Sequence, residues 1–358
     1  MECLRNQIQI TKQKIEAGGG SIDFNLRRDF MFGYFNKMAT RFAFGDSEEY
    51  LTVPELGNKS FYMAVSMNQA NLAACLAPIN VLTNGLYVNL GLSKQYNLYL
   101  ANRQKSREYV YKLIDQRIQS IEKGEYTPKK TNVVDFLILE SGELRKANKK
   151  PYTSEEICLH ILDVYSAGIN TIMGLFDTYF CRIVMKENRE SLDKLNRIVK
   201  EEFAGEDYSI DQLLDHPYLH AIFSESSRVF PGLNRSFSKN VIKPFKLCGV
   251  KIRKGDDIAI RYLSLNHNKE HFPNPDKFDP SRFLDSKKPP RFTFMQFGHG
   301  ARDCVGRTFG DFMVKTFLVE LFKEFDFDYP EGFKAKWRHH DIFSGMANGK
   351  MIIKVANK

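Results

Sequence analysis

With 358 residues, 43% of them hydrophobic and 27% charged, the chain is long enough for one large domain or two ordinary ones, each with its own core. The formal net charge is +9. It comes without a basic run, a zinc-finger spacing or an aromatic-basic interleave, which argues against nucleic-acid binding and leaves a face for an acidic partner or anionic lipid.

Six cysteines (Cys3, Cys75, Cys158, Cys181, Cys248, Cys304) show no C-x-x-C or other metal spacing, so they predict a reducing compartment and no structural zinc site. No window of roughly 18 uncharged apolar residues occurs, and Met1-Glu2-Cys3-Leu4-Arg5 reads as neither a signal peptide nor an anchor.

In chain order, residues 3 to 16 predict a short polar helix that Gly18-Gly19-Gly20-Ser21 ends. Asp29 to Phe44 places Phe30, Phe32, Phe35, Met38, Ala39 and Phe42 near one helical stripe. From Lys59 to Leu92 the chain is apolar and loosely patterned, reading as core or as two short helices over a pocket. A charged amphipathic helix over 97–123 is closed by the turn at Pro128-Lys129-Lys130.

Thr153 and Glu156 form a capping box, and the helical pattern then runs without proline to about Lys186, roughly 33 residues or ~50 Å. Ile157, Leu159, Ile161, Leu162, Val164 and Ile169 make this helix apolar on more than one face, so it is expected to cross the middle of a core. Its centre reads Ala167-Gly168-Ile169-Asn170-Thr171. Glycine costs about 1 kcal/mol in a helix interior, which a close approach at Gly168 would rationalise. Thr171 is placed to back-bond or to widen the helix locally.

A second amphipathic helix spans about Asn188 to Phe203, and Glu225 and Arg228 follow as i,i+3 neighbours on one face with apolar flanks, predicting a partly buried ion pair. Phe245 to Ile260 alternates like strands joined by glycine turns. His267-Asn268-Lys269-Glu270-His271 has the form of a zinc-protease motif, but Pro273 and Pro275 end any helix that could align both histidines. Gly310 to Glu324 predicts an apolar helix against the long central one. Strands are expected at Phe325 to Tyr329 and Met351 to Val355, with a loop at Phe343 to Met346 between them, and His339 and His340 read as solvated.

The most informative stretch is Phe297-Gly298-His299-Gly300-Ala301-Arg302-Asp303-Cys304-Val305-Gly306. Glycines let backbone approach a flat ligand, and a cysteine just before a helix N-terminus sits where the dipole and free N–H groups favour a thiolate. A phosphatase loop would need arginine where Gly310 stands, and a nucleotide loop would need glycine where Asp303 stands. Two readings remain: a thiolate that ligates haem iron, and a structural cysteine after a glycine turn.

Phe297, Gly300, Arg302, Cys304 and Gly306 match F-x-x-G-x-R-x-C-x-G, and the stretch resembles the haem-binding signature of the cytochrome P450 family. The pentapeptide at 167–171 resembles that family's oxygen-binding segment, A-G-x-D/E-T. Glu225 and Arg228 resemble its E-x-x-R motif, with Arg282 matching the later arginine of the structural triad. The resemblance implies haem b with Cys304 as axial iron ligand, Gly168, Phe297, Gly300 and Gly306 beside the cofactor, and Arg302 as a propionate partner. Thr171 and Asn170 would then steer protons to bound dioxygen.

It further implies a mainly α fold with a small β-sheet region, as a single domain over 1–358, and monooxygenation of a lipophilic small molecule. Electrons would come from an NADPH-dependent reductase or a ferredoxin-type donor docking near Lys287, Lys288, Arg291 and Arg307. The family also implies the endoplasmic reticulum membrane surface.

Three departures matter. Asn170 stands where the family has an acid, Ser238 where many members have a second arginine, and the only tryptophan, Trp337, lies far from the place of the family's W-x-x-x-R motif. The resemblance therefore predicts a fold lacking its N-terminal part, with one wall of the haem pocket missing. Two rivals follow: an isomerase or peroxide user of the same type, and a truncated haem-binding protein or fragment without turnover.

Overall fold

A computed structural model describes residues 1–45, 53–56, 61, 90–205, 208–284, 289–339, 344–346 and 350–356, without the side chains of Glu55, Ser166, Ile169, Asn170, Asp177, Trp337, Arg338, His339, Ser344 and Met346. The fold is mainly helical with small antiparallel sheets. The expected covering segment from Lys59 to Leu92 lies almost wholly outside the described residues, as do Lys287 and Lys288. Among the described residues, no helix is long and apolar enough to cross a membrane.

The chain forms two compact units, one made of 1–7 and 31–170, the other of 8–30 and 171–358. The first contains the start of α1 (Glu2–Ala17), then α2 (Phe32–Phe44), α3 (Lys94–Glu122) and α4 (Val133–Lys146). The long helix expected from the capping box is α5 (Ser154–Ile183), whose first part belongs here. Thr153 accepts from the Glu156 N–H at 3.2 Å while the Glu156 carboxylate accepts from the Thr153 N–H at 2.8 Å, so both halves of the box close.

The core of this unit is aromatic, with Phe61 packed 4.9 Å from Tyr165 and 5.2 Å from Phe44, ring centre to ring centre. Its polar counterpart is Asp135, fully buried in the first turn of α4. The carboxylate accepts from Arg117 at 2.6 Å, Tyr126 at 2.5 Å, Asn132 at 2.9 Å and the Lys129 N–H at 3.0 Å. Arg117 also donates to the Phe44 carbonyl at 3.0 Å, satisfying an orphan acceptor at the end of α2.

A single helix from Asp29 was expected, but α2 starts at Phe32 after a wide turn at Arg27–Met31. Asp29 is the reason: its carboxylate accepts the Asn25 N–H at 2.8 Å and pairs with Arg28 at 2.6 Å, tying the chain to the preceding strand.

The second unit holds β1 (Ile22–Asn25), the rest of α5, α6 (Arg189–Glu202), α7 (Ile210–Asp215) and α8 (Pro217–Val229). Then come β2 (Lys239–Asn240), β3 (Phe245–Leu247), β4 (Val250–Ile252), β5 (Asp257–Ile258), α9 (Tyr262–Asn266) and α10 (Arg307–Glu324). Four strands close the chain: β6 (Phe325–Asp328), β7 (Trp337–His339), β8 (Ser344–Met346) and β9 (Lys350–Val355).

The main sheet has the order β1-β9-β6, antiparallel throughout. Ile353 lies opposite Ile22 on one side and Phe327 on the other, which puts an apolar row on one face. The expected loop at Phe343 to Met346 is corrected in part: Ser344–Met346 pairs with Trp337–His339 as a hairpin, while Phe343 lies outside the described residues, as does His340.

Helix α10 is buried on most sides from Met313 to Phe322, with Val314, Phe317, Leu318, Val319 and Leu321 fully buried and Lys315 and Glu320 buried among them. Phe317 packs 4.6 Å from Phe176 of α5, and Phe322 stacks on Phe180 at 4.8 Å. The helix expected to lie against the central one does so through these pairs.

Candidate active site

Helix α8 is the frame. From Ala221 to Val229 every residue is buried, although the run includes three serines, a glutamate and an arginine. Arg228 closes a bidentate pair with Glu225, at 2.7 Å from Nε and 2.8 Å from Nη2, with both side chains at 0% exposure. Its remaining donors reach the carbonyls of Asn266 at 3.0 Å and Lys277 at 3.1 Å, and the guanidinium lies 5.1 Å from the Phe272 ring centre.

Arg282 completes the group, its Nε 3.6 Å from Glu225 Oε1, an ion-pair distance rather than a hydrogen bond, while its Nη2 donates to the Pro273 carbonyl at 2.7 Å. The structure thus brings the three predicted triad residues together and hangs the irregular stretch 266–282 on α8. Burial pushes the Glu225 carboxyl up from its ordinary value, while Arg228, the Asp279 N–H at 2.7 Å and Arg282 pull the other way.

The cysteine loop is built beside α8. Gly298 and Gly300 adopt φ of 75° and 87°, where a side chain would be strained, and the Cys304 N–H donates to the Phe297 carbonyl at 2.9 Å. Phe297 anchors the loop, 6.0 Å from the Phe223 ring of α8 and 3.7 Å from where a Cβ on Gly310 would stand. The result is an exposed Cys304, two residues before Gly306 and the start of α10. Arg302 is exposed on the same loop, and Arg307 pairs with Asp303 at 3.2 Å.

Helix α5 carries Gly168, Asn170 and Thr171 within one turn, and Thr171 is half-buried. A Cβ on Gly168 would meet no described atom within 4 Å. Gly232, after α8, supplies a close approach, since a Cβ there would lie 2.8 Å from Leu175 Cγ on α5. His267 and His271 stand in turns after α9 rather than on one helix, and among the described residues no three metal-binding side chains gather.

Sequence reasoning missed a buried polar chain. Tyr179 of α5 bonds the Ser227 hydroxyl of α8, which donates to the Phe223 carbonyl at 2.8 Å and accepts from Gln296, the residue before Phe297. Burial pushes the Tyr179 phenol up, so it stays protonated as a donor. Three residues in three segments leave no periodic trace; a serine in a run of buried positions is the one available sign.

A groove of about 550 Å³ opens beside the loop, lined by His220, Ser224, Arg291, Phe292, His299 and Arg307 among others. It holds the two described members of the expected basic patch.

A family model described as cytochrome P450 matches residues 8–351. The chain belongs to the cytochrome P450 family. It is 26% identical to cytochrome P450 76A1 of Solanum melongena over 100% of this chain and 76% of that protein. It is 26% identical to beta-amyrin 28-monooxygenase of Kalopanax septemlobus over 83% of this chain and 63% of that protein. To thromboxane-A synthase of Mus musculus it is 30% identical over 51% of this chain and 34% of that protein.

In fold it is similar to the crystal structure of the cytochrome P450DA haem domain, with a TM-score of 0.74, 16% identity, and 99% of this chain covering 73% of that one. The cytochrome P450 family is one of haem-thiolate oxidoreductases, with redox partners and lipophilic substrates as the general rule.

The residues present fit a haem. The donor is an exposed thiol, the glycines of its loop leave backbone bare, and a Cβ on Gly300 would meet no described atom within 4 Å.

Proposed function

We propose that this protein is a haem-thiolate monooxygenase that binds haem b through the Cys304 thiolate. The observation that carries the reading is the exposed cysteine at the head of α10, in a loop whose backbone is fixed by the Phe297 carbonyl and two left-handed glycines. Haem bound there supplies the redox chemistry that places one oxygen atom of dioxygen into an organic substrate. Phe297, Gly300 and Gly306 shape its bed, Arg302 pairs with a propionate, and the Glu225–Arg228–Arg282 group holds the bed in place without touching reactants.

On α5, the Thr171 hydroxyl orders water and passes a proton from its Oγ1, and Gly168 leaves room beside it. Asn170 orders water through its amide but has no titratable proton, so protons must reach Thr171 through solvent. An NADPH-dependent reductase or ferredoxin-type donor docks at the groove that presents Arg291 and Arg307. The substrate is a lipophilic small molecule, and the family points to the endoplasmic reticulum surface as the place of work.

The test is turnover under labelled dioxygen with NADPH and a reductase, using a panel of lipophilic substrates. One labelled oxygen per product molecule supports the reading. Products that form with unlabelled oxygen, or only with added peroxide, contradict it.

A further inference from the structure

The buried chain Tyr179–Ser227–Gln296 lies beside the cysteine loop, and the proposed function gives it no task. Tyr179 and Ser227 are each 1% exposed, and Gln296 is half-buried just before the loop's anchoring Phe297.

A serine hydroxyl has one proton to give and two lone pairs to receive. The Ser227 proton goes to the Phe223 carbonyl at 2.8 Å, one turn back on α8. Its two other partners must then arrive as donors: the Tyr179 phenol O–H and the Gln296 amide N–H. The hydroxyl is saturated, which fixes the direction of each proton and the orientation of the Gln296 amide. A hydrogen bond from Gln296 also reaches the Tyr179 phenol, so the three side chains close into a ring. A buried polar group satisfied in this way holds its members in one arrangement.

What it holds is the entry to the loop. The Phe297 carbonyl accepts the Cys304 N–H at 2.9 Å, so the backbone immediately after Gln296 sets where the cysteine stands. Phe297 also packs against Phe223 at 6.0 Å, but a ring contact tolerates sliding where a hydrogen bond does not. Other polar side chains of the loop look outward: His299 meets Arg291 at 3.3 Å and Asp303 meets Arg307 at 3.2 Å, all exposed. On the opposite side Tyr179 belongs to α5, eight residues or about 12 Å beyond Thr171 along the helix.

We infer that Gln296 is a positioning residue for Cys304: held through Ser227 and Tyr179, it fixes the station of the sulfur against α5. The inference rests on the haem-thiolate reading for what the sulfur binds, whereas the hold itself is a property of this chain with or without haem.

The experiment compares the full chain with three variants. Gln296→Met keeps the length of the side chain and removes its donor, Tyr179→Phe removes the phenol, and Asp135→Asn, in the other unit, controls for lost stability alone. Before haem is added, amide exchange across 297–306, read by mass spectrometry, is faster in Gln296→Met by roughly tenfold, about the worth of one hydrogen bond. After loading, haem passes to excess apomyoglobin roughly tenfold faster from Gln296→Met than from the wild type. The red-shifted Soret band of its reduced carbon monoxide complex fades faster in step. Tyr179→Phe, which leaves the Gln296–Ser227 bond, changes both in the same direction by less, and Asp135→Asn changes neither.

The inference is overturned if loop exchange in Gln296→Met matches the wild type, or if Asp135→Asn alters exchange and haem release as much. Faster exchange with unchanged haem release overturns it too, since the hold would then not reach the sulfur. A wild type that takes up no haem would defeat the haem-thiolate reading, and loop exchange alone would then decide the inference.

Discussion

Replacing Arg228 by methionine isolates the interaction that holds the site's frame. The side chain is wholly buried, and its loss would leave Glu225, also wholly buried, with Arg282 at 3.6 Å and the Asp279 N–H at 2.7 Å as its remaining partners. Removing one partner of a buried pair costs about 3–5 kcal/mol, and the two surviving contacts place the expected value near 3. At a urea slope of about 3 kcal/mol/M, that moves the unfolding midpoint down by about 1 M.

The loss should also depend on pH. Without Arg228, only the Asp279 N–H and Arg282 still oppose burial at Glu225, and its carboxyl rises further above the unfolded value. A raised acid contributes stability that is present at low pH and lost as pH rises through the folded pKa. The Arg228→Met deficit is therefore smaller in mild acid than in mild alkali. Adding Glu225→Leu removes the stranded charge and should recover about 2 kcal/mol. Arg282→Met, which breaks a longer and partly exposed contact, should cost less than Arg228→Met. An Arg228→Met stability within about 1 kcal/mol of wild type, or an Arg282→Met loss larger than that of Arg228→Met, refutes the reasoning.

Other sites give sharp expectations. Asp135→Asn keeps the shape of the buried hub in the first unit but replaces an acceptor that serves four donors, so urea unfolding should show a loss of about 3 kcal/mol. His267 is held neutral: burial pushes its imidazole down from the ordinary value, and Arg228 and Arg182 add to this while its Leu263 carbonyl bond and Asp276 oppose it. A depressed histidine contributes stability that is present above its unfolded pKa and lost as pH falls below it. The wild type should therefore lose more stability than His267→Gln between about pH 7.5 and about pH 5.5, measured by urea midpoints; parallel curves would count against this.

Much of the architecture was legible wherever a segment carried its own punctuation. The capping box at Thr153 marked the start of α5, and the triple glycine after Ala17 marked the end of α1. Helix α3 begins three residues earlier than the periodicity suggested, because Ser93 caps it by accepting the Tyr96 N–H at 3.2 Å. The hairpin of β7 and β8 escaped because its partners lie several residues apart and neither strand alternates clearly.

The site divides in the same way. Motif spacing brought Glu225, Arg228, Arg282 and the cysteine loop into view, but the knot at Asp135 and the Tyr179–Ser227–Gln296 chain are made by polar side chains that meet only across the fold. Gly232 passed unnoticed in the sequence, yet a Cβ there would press against Leu175 of α5.

The central claim is that the Cys304 sulfur holds haem iron. Its most direct test is haem titration of the purified chain, followed by the spectrum of the reduced carbon monoxide complex, for the wild type and for Cys304→Ala. The wild type should take up one haem and show the strongly red-shifted Soret band of a thiolate complex, and Cys304→Ala should lose that band while keeping its fold by circular dichroism. A chain that takes up no haem, or a Cys304→Ala spectrum indistinguishable from wild type, would contradict it.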